Sequence, residues 1–142
     1  MSLYVRHEHK ARDLFRRRGG AFIHNKVLAG TRFRPDFIFT KGGRVVIAEC
    51  DENDHARYNT SHELYREHVI AQRMGRMGFD EVYIVRFNPT PPRRWSPRLC
   101  TQLDRVYRVI TKALDGEVAT LDDGPYIHVD TRRRHFTKIT LR

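Results

Sequence analysis

Long apolar runs are missing from this chain of 142 residues. None approaches the ~20 residues needed for a helical membrane span, and no basic stretch carries the strong apolar face of an interfacial helix. With no leader peptide evident either, the expectation is a soluble, intracellular protein. Cysteine is nearly absent: Cys50 and Cys100 cannot build a disulfide framework, and Cys50, inside an apolar run, reads as a small core residue. Neither cysteine lies in a CxxC pair and the eight histidines include no HExxH pair, which argues against a structural zinc. His7 and His9 straddle Glu8 but lie two apart on a helix and face different ways. A phosphate-cradling glycine loop is also lacking, because Gly42-Gly43 precedes a strand. There are no internal repeats and no low-complexity segments.

Acid is in short supply. Lysine and arginine number 27 against 17 aspartates and glutamates, a formal charge of +10. Arginines cluster at Arg16 to Arg18, Arg93-Arg94 and Arg132 to Arg134. A polyanion partner, nucleic acid, is the expectation from that imbalance. By length the chain is one domain, with enough residues for a real core.

Hydrophobic periodicity gives the elements. Tyr4, His7, Ala11, Leu14 and Phe15 have helical spacing up to Gly19-Gly20, predicting a first amphipathic helix. Ala21 to Leu28 reads as a strand, and Gly30-Thr31 as a turn. Two further strands, Phe37-Ile38-Phe39 and Val45-Val46-Ile47-Ala48, flank a Lys41-Gly42-Gly43 turn and complete a meander. Thr60 and Glu63 have capping-box spacing, so a helix starts near Ser61. Its inner stripe is read as Leu64, Ala71, Met74 and Met77, with Arg66, Arg73 and Arg76 outward, and it ends at Gly78. Glu81 to Phe87 is a strand apolar enough to be buried on both faces. Residues 90–97 form a proline-rich loop. Ser96-Pro97 then opens a helix over 98–115 along Leu99, Leu103, Val106, Ile110 and Leu114. Over 125–142, Tyr126 to Asp130 and Phe136 to Leu141 make a C-terminal hairpin or tail with a basic tip. The fold class is therefore α/β, with a core of order αβββαβ over about residues 3–89.

The chemistry concentrates in RPDFIFTKGGRVVIAECDENDHARY, Arg34 to Tyr58. Side chains alternate along a strand, so Glu49 and Asp51 leave on one face and Cys50 on the other, and a hairpin brings Asp36 close to Glu49. Carboxylates gathered beside apolar strands repel one another and resist desolvation, which a cation relieves. All-oxygen donors favour a hard ion, Mg²⁺ or Mn²⁺. The plainer alternative is a solvated acidic loop at a hairpin end.

Pro35-Asp36 opening a strand, followed by an apolar strand ending in Glu49-Cys50-Asp51, resembles the PD-(D/E)XK nuclease superfamily over roughly Tyr4 to Pro89. The family's lysine two residues after the glutamate is replaced here by Asp51. That departure, with His55 six residues past Glu49, is more similar to the very-short-patch repair (Vsr-like) branch and its phage homing-endonuclease relatives. It is also similar to uncharacterised proteins of large DNA viruses. The resemblance implies a restriction-endonuclease-like core with a mixed central sheet, a metal site on Asp36 and Glu49, and His55 as the downstream histidine. It also implies that Glu8 of the first helix reaches the metal; the alternative is an exposed Glu8 paired with Arg12 at i,i+4.

The expectation drawn from these residues is a Mg²⁺- or Mn²⁺-dependent DNA endonuclease hydrolysing phosphodiester bonds, working as monomer or homodimer on double-stranded or branched DNA. Asp36 and Glu49, with Asp51 or the Cys50 carbonyl, hold the metal. His55 is general base or leaving-group donor, or simply bonds its loop. Asn53 orients the phosphate, and Arg34, Arg93, Arg94, Arg132, Arg133 and Arg134 grip the backbone. Trp95 either stacks on a base or packs down the loop. A virus-borne enzyme would act in the host cytoplasm or nucleus. Two alternatives stand: a DNA-binding module on the same fold that does not cut, and a structure-specific or RNA-directed nuclease.

Overall fold

The computed structural model describes residues 3–51, 60–88, 99–121, 127–131 and 135–141. Its elements follow the order α1 (Leu3–Arg17), β1 (Phe22–His24), β2 (Phe37–Lys41), β3 (Arg44–Cys50), α2 (Thr60–Arg76), β4 (Glu81–Phe87), α3 (Leu99–Leu114), a 3₁₀ turn (Val118–Thr120), β5 (Ile127–Asp130) and β6 (Thr137–Leu141). The expected α/β class and the αβββαβ order are both found.

Six strands form one mixed sheet in the order β1-β2-β3-β4-β6-β5. The meander β1-β2-β3 is antiparallel, because short turns reverse the chain. Gly42, at φ 58°, occupies the left-handed region that the two-residue turn between Lys41 and Arg44 requires. The crossover through α2 then brings β4 in parallel to β3, and β6 adds in parallel to β4.

Alternation along the strands sends side chains to two helical layers. Phe37, Phe39, Val46, Ala48, Tyr83, Val85 and Phe87 pack under α1 and α3, and Cys50 is buried with them. On the other face Ile38, Val45, Ile47, Val82 and Ile84 pack under Ile70, Ala71 and Met74 of α2. Phe15 is fully buried at the centre of the first layer, its ring 5.1 to 6.3 Å from those of Phe22, Phe37, Phe39, Phe87 and Tyr107. No helix among the described residues is long and apolar enough to cross a membrane.

Two expectations need correction. The first strand ends at His24 rather than Leu28, because Asn25 takes a left-handed φ of 53° that breaks the extended run. On α2, Met77 is exposed and Arg66 is half-buried and turned inward, while Glu67 holds a core position. A stripe drawn through apolar residues alone misplaces a helix whose first half buries charge.

Candidate active site: a carboxylate cluster at the sheet end

β2 and β3 pair with Phe37 opposite Ala48, so the next position outward sets Asp36 against Glu49. The Asp36 N–H donates to Glu49 Oε2 at 3.2 Å, and Asp36 Oδ2 accepts from the Cys50 N–H at 2.8 Å. The Asp36 carboxyl lies within hydrogen-bonding reach of the carboxyls of both Glu8 and Glu49. Glu8 comes from α1 and is fixed at its other side by His24, whose Nε2 lies 2.8 Å from Glu8 Oε2. The exposed alternative for Glu8 is thereby set aside: its partner is His24, and Arg12 bonds Asp13 instead.

Parallel register places Arg86 of β4 beside Glu49 on the α2 face. Arg86 grips both oxygens of Asp51, at 2.8 and 2.6 Å, and also meets Glu63 at 2.9 Å and Glu67 at 3.2 Å. Lys138 of β6 reaches the same Glu67 oxygen at 2.8 Å. Arg66 donates to Glu49 Oε1 and to the Arg34 carbonyl. Among the described residues, four of these six carboxylates, Glu49, Asp51, Glu63 and Glu67, contact Arg66, Arg86 or Lys138, on a protein that is strongly basic overall. Glu67 Oε2, on a side chain only 1% exposed, has no hydrogen-bond partner among the described residues.

The electrostatics follow. Burial raises the Asp36 pKa to about 7, and the neighbouring Glu8 carboxylate adds to the rise. Glu49, 4% exposed, is raised to about 8 by burial and then by Asp36, against the pull of Arg66. Burial alone would lower the Arg86 pKa, but its bonds to Asp51 more than reverse that. Burial lowers the His24 pKa, and Arg12, His9 and Arg16 lower it further. A neutral His24 ring with its proton on Nε2 donates to Glu8.

Adjacent oxygen donors whose pKa values burial and each other's charge push up have the chemistry that suits a hard divalent cation. Among the described residues no group of three or more His, Cys, Asp or Glu side chains has metal-holding geometry. Mg²⁺ ordinarily takes one or two carboxylates and keeps water on its other positions, and Asp36 and Glu49 are the adjacent acids that would hold one. Asp51 faces Arg86, which takes both its oxygens; Glu49 is likewise engaged at both oxygens, by Arg66 and by the Asp36 N–H, so an ion held by Asp36 and Glu49 would share Glu49 with those donors.

Of the residues expected from sequence, the structure brings Glu8, Asp36 and Glu49 together and sets Arg34 beside them through its carbonyl. His55, Asn53, Arg93, Arg94, Trp95, Arg132, Arg133 and Arg134 lie outside the described residues. The sequence reading missed His24, Arg66, Glu67 and Arg86. Arg86 had left a trace, as a lone charge near the end of an apolar strand. No family model, curated protein or solved structure matches the chain.

Proposed function

We propose that the protein is a metal-dependent DNA endonuclease that hydrolyses phosphodiester bonds, built like the restriction-endonuclease-like enzymes its Pro35-Asp36 and Glu49 motif resembles. The supporting observation is the row of adjacent carboxyls Glu8, Asp36 and Glu49, the last of them buried and the last two raised in pKa, in a chain of formal charge +10. Asp36 and Glu49 would hold Mg²⁺ or Mn²⁺. Such an ion, when bound, polarises the phosphate and lowers the pKa of a water. Arg66 keeps Glu49 oriented, and His24 keeps Glu8 against Asp36. His55 accepts the proton of the attacking water or supplies one to the leaving oxygen, and Arg34, with the arginines at 93–94 and 132–134, holds the flanking strand. As a DNA enzyme it works inside the cell, as monomer or homodimer.

Cleavage of duplex, mismatched and branched substrates with Mg²⁺ and with chelator tests this reading. Asp36→Asn should abolish cutting and leave duplex affinity equal or higher, because a negative charge near phosphate is removed. An Asp36→Asn protein that cuts like wild type would end the proposal. The second reading is a DNA-binding module that does not cut, favoured by Arg66, which already neutralises part of Glu49's charge. It requires that no divalent ion yields cleavage of any substrate in the panel.

A further inference from the structure

The connection from β1 to β2 runs from Asn25 to Asp36; ahead of that terminal site acid it carries Lys26, Arg32 and Arg34 and no other acid. Exposed connections of this length are ordinarily loose; this one is fastened throughout. The Leu28 N–H donates to the Phe33 carbonyl at 2.9 Å, and the Thr31 hydroxyl donates to the Leu28 carbonyl at 2.9 Å. Two arginines of α2 clamp it: Arg73 donates to the Ala29 carbonyl at 2.6 Å and Arg66 to that of Arg34 at 3.3 Å. Gly30, at φ 83°, leaves room for Arg73, whose guanidinium carbon would lie 3.1 Å from an added Cβ.

What this fastening holds in place is an aromatic pair. Phe33 is half-buried, with the Arg32 guanidinium 5.6 Å and that of Arg66 5.8 Å from its ring centre. Against Phe33 stands Tyr65, edge to face at 6.5 Å and 75°, and 61% exposed. Tyr65, Phe33, Arg66 and Glu49 are therefore contiguous: an exposed ring, a ring that backs it, a cation, and a carboxylate of the candidate site. An aromatic face left in water among basic side chains suits a ligand that offers a flat π-surface and negative charge together.

We infer that Tyr65, backed by Phe33, is a stacking platform for an unpaired base of the strand being cut, with Arg32 and Arg34 on its flanking phosphates. The inference rests on the DNA reading above and narrows its substrate. A base inside an intact duplex has both faces covered by its neighbours, so only a single-stranded, branched or flipped-out nucleotide can present one to Tyr65. The preferred substrate is then DNA with an unpaired nucleotide beside the cut, rather than a matched duplex.

Binding is measured with chelator present, so that no cleavage is needed, to three oligonucleotides: a single strand, a fork with one unpaired arm, and a matched blunt duplex. Tyr65→Leu keeps the bulk and removes the π-face, and Tyr65→Trp restores it. The leucine variant should bind strand and fork about tenfold more weakly and duplex unchanged, and the tryptophan variant should bind all three like wild type. A 2-aminopurine in the unpaired arm should be quenched by wild type and Tyr65→Trp but not by Tyr65→Leu. Equal affinities of Tyr65→Leu and wild type for strand and fork would overturn the platform, as would an equal loss on all three substrates. Failure of the nuclease reading would show separately, as absence of metal-dependent cutting by wild type.

Discussion

Asp36 and Glu49 keep protons in the folded state that an unfolded chain gives up near pH 4, the ordinary range for exposed carboxyls. Between about pH 4 and 8 the unfolded state therefore binds fewer protons than the native one, and metal-free stability falls as pH rises through that window. The stabilising protonated form is fully present below the unfolded pKa and lost as the folded pKa values, about 7 and about 8, are passed. Thermal melts in chelator should give a lower Tm at pH 8 than at pH 5, and Glu49→Gln should flatten the difference. Adding Mg²⁺ or Mn²⁺ at pH 8 should raise Tm, with the logarithm of ion concentration once that exceeds the Kd, since only the ionised pair binds it. A wild-type Tm unmoved by either pH or metal would show that the acids are neutralised within the protein, and Arg66 would be the reason.

At the scale of elements, the first layer hangs on Phe15. Its ring packs against rings from β1, β2, β4 and α3, so truncation leaves a void that no single neighbour can fill. Phe15→Ala should cost about 3 to 5 kcal/mol, read from the denaturant midpoint at unchanged slope. A loss under about 1 kcal/mol would mean that the layer collapses around the gap. α1 and α3 were legible in sequence because their buried stripes are mainly apolar; Ala11-Leu14-Phe15 and Leu103-Val106-Ile110 follow the i, i+3, i+4 and i+7 spacing of a helix. α2 was legible as a helix but not in its orientation. Glu63, Arg66 and Glu67 point toward the sheet, and a rule that turns charge outward cannot place them. Asp36 and Glu49 could be paired from the hairpin, a local feature. The Glu49 to Arg86 neighbour relation could not, because it is made by a parallel crossover whose register depends on the whole sheet. His24 likewise meets Glu8 only once β1 and α1 have packed.

At the scale of the molecule, charge is distributed unequally. Six of the 17 acids are drawn into the sheet-end cluster, which leaves the remaining surface more basic than the total of +10 suggests. On the DNA reading such a surface would attract the phosphate backbone, while the cluster itself would repel a phosphate until a cation stands between them. The two effects separate by salt and by metal. Without divalent ions, the logarithm of duplex affinity should fall linearly with the logarithm of salt, losing about 10³ to 10⁵ between ~50 and ~200 mM if six to ten phosphates are contacted. Arg34→Ala should reduce the slope by about one unit, as removal of a phosphate contact does, while leaving sequence preference unaltered. Divalent ions at matched ionic strength should act in the opposite sense, tightening the complex of wild type but not of Asp36→Asn, whose site has lost half its metal-holding pair. Competition assays across a salt series, run with Asp36→Asn, Arg34→Ala and wild type side by side, measure both terms. If metal weakens wild-type binding as monovalent salt does, the cluster stands away from the DNA; the acids would then be structural and the basic surface alone would carry the affinity.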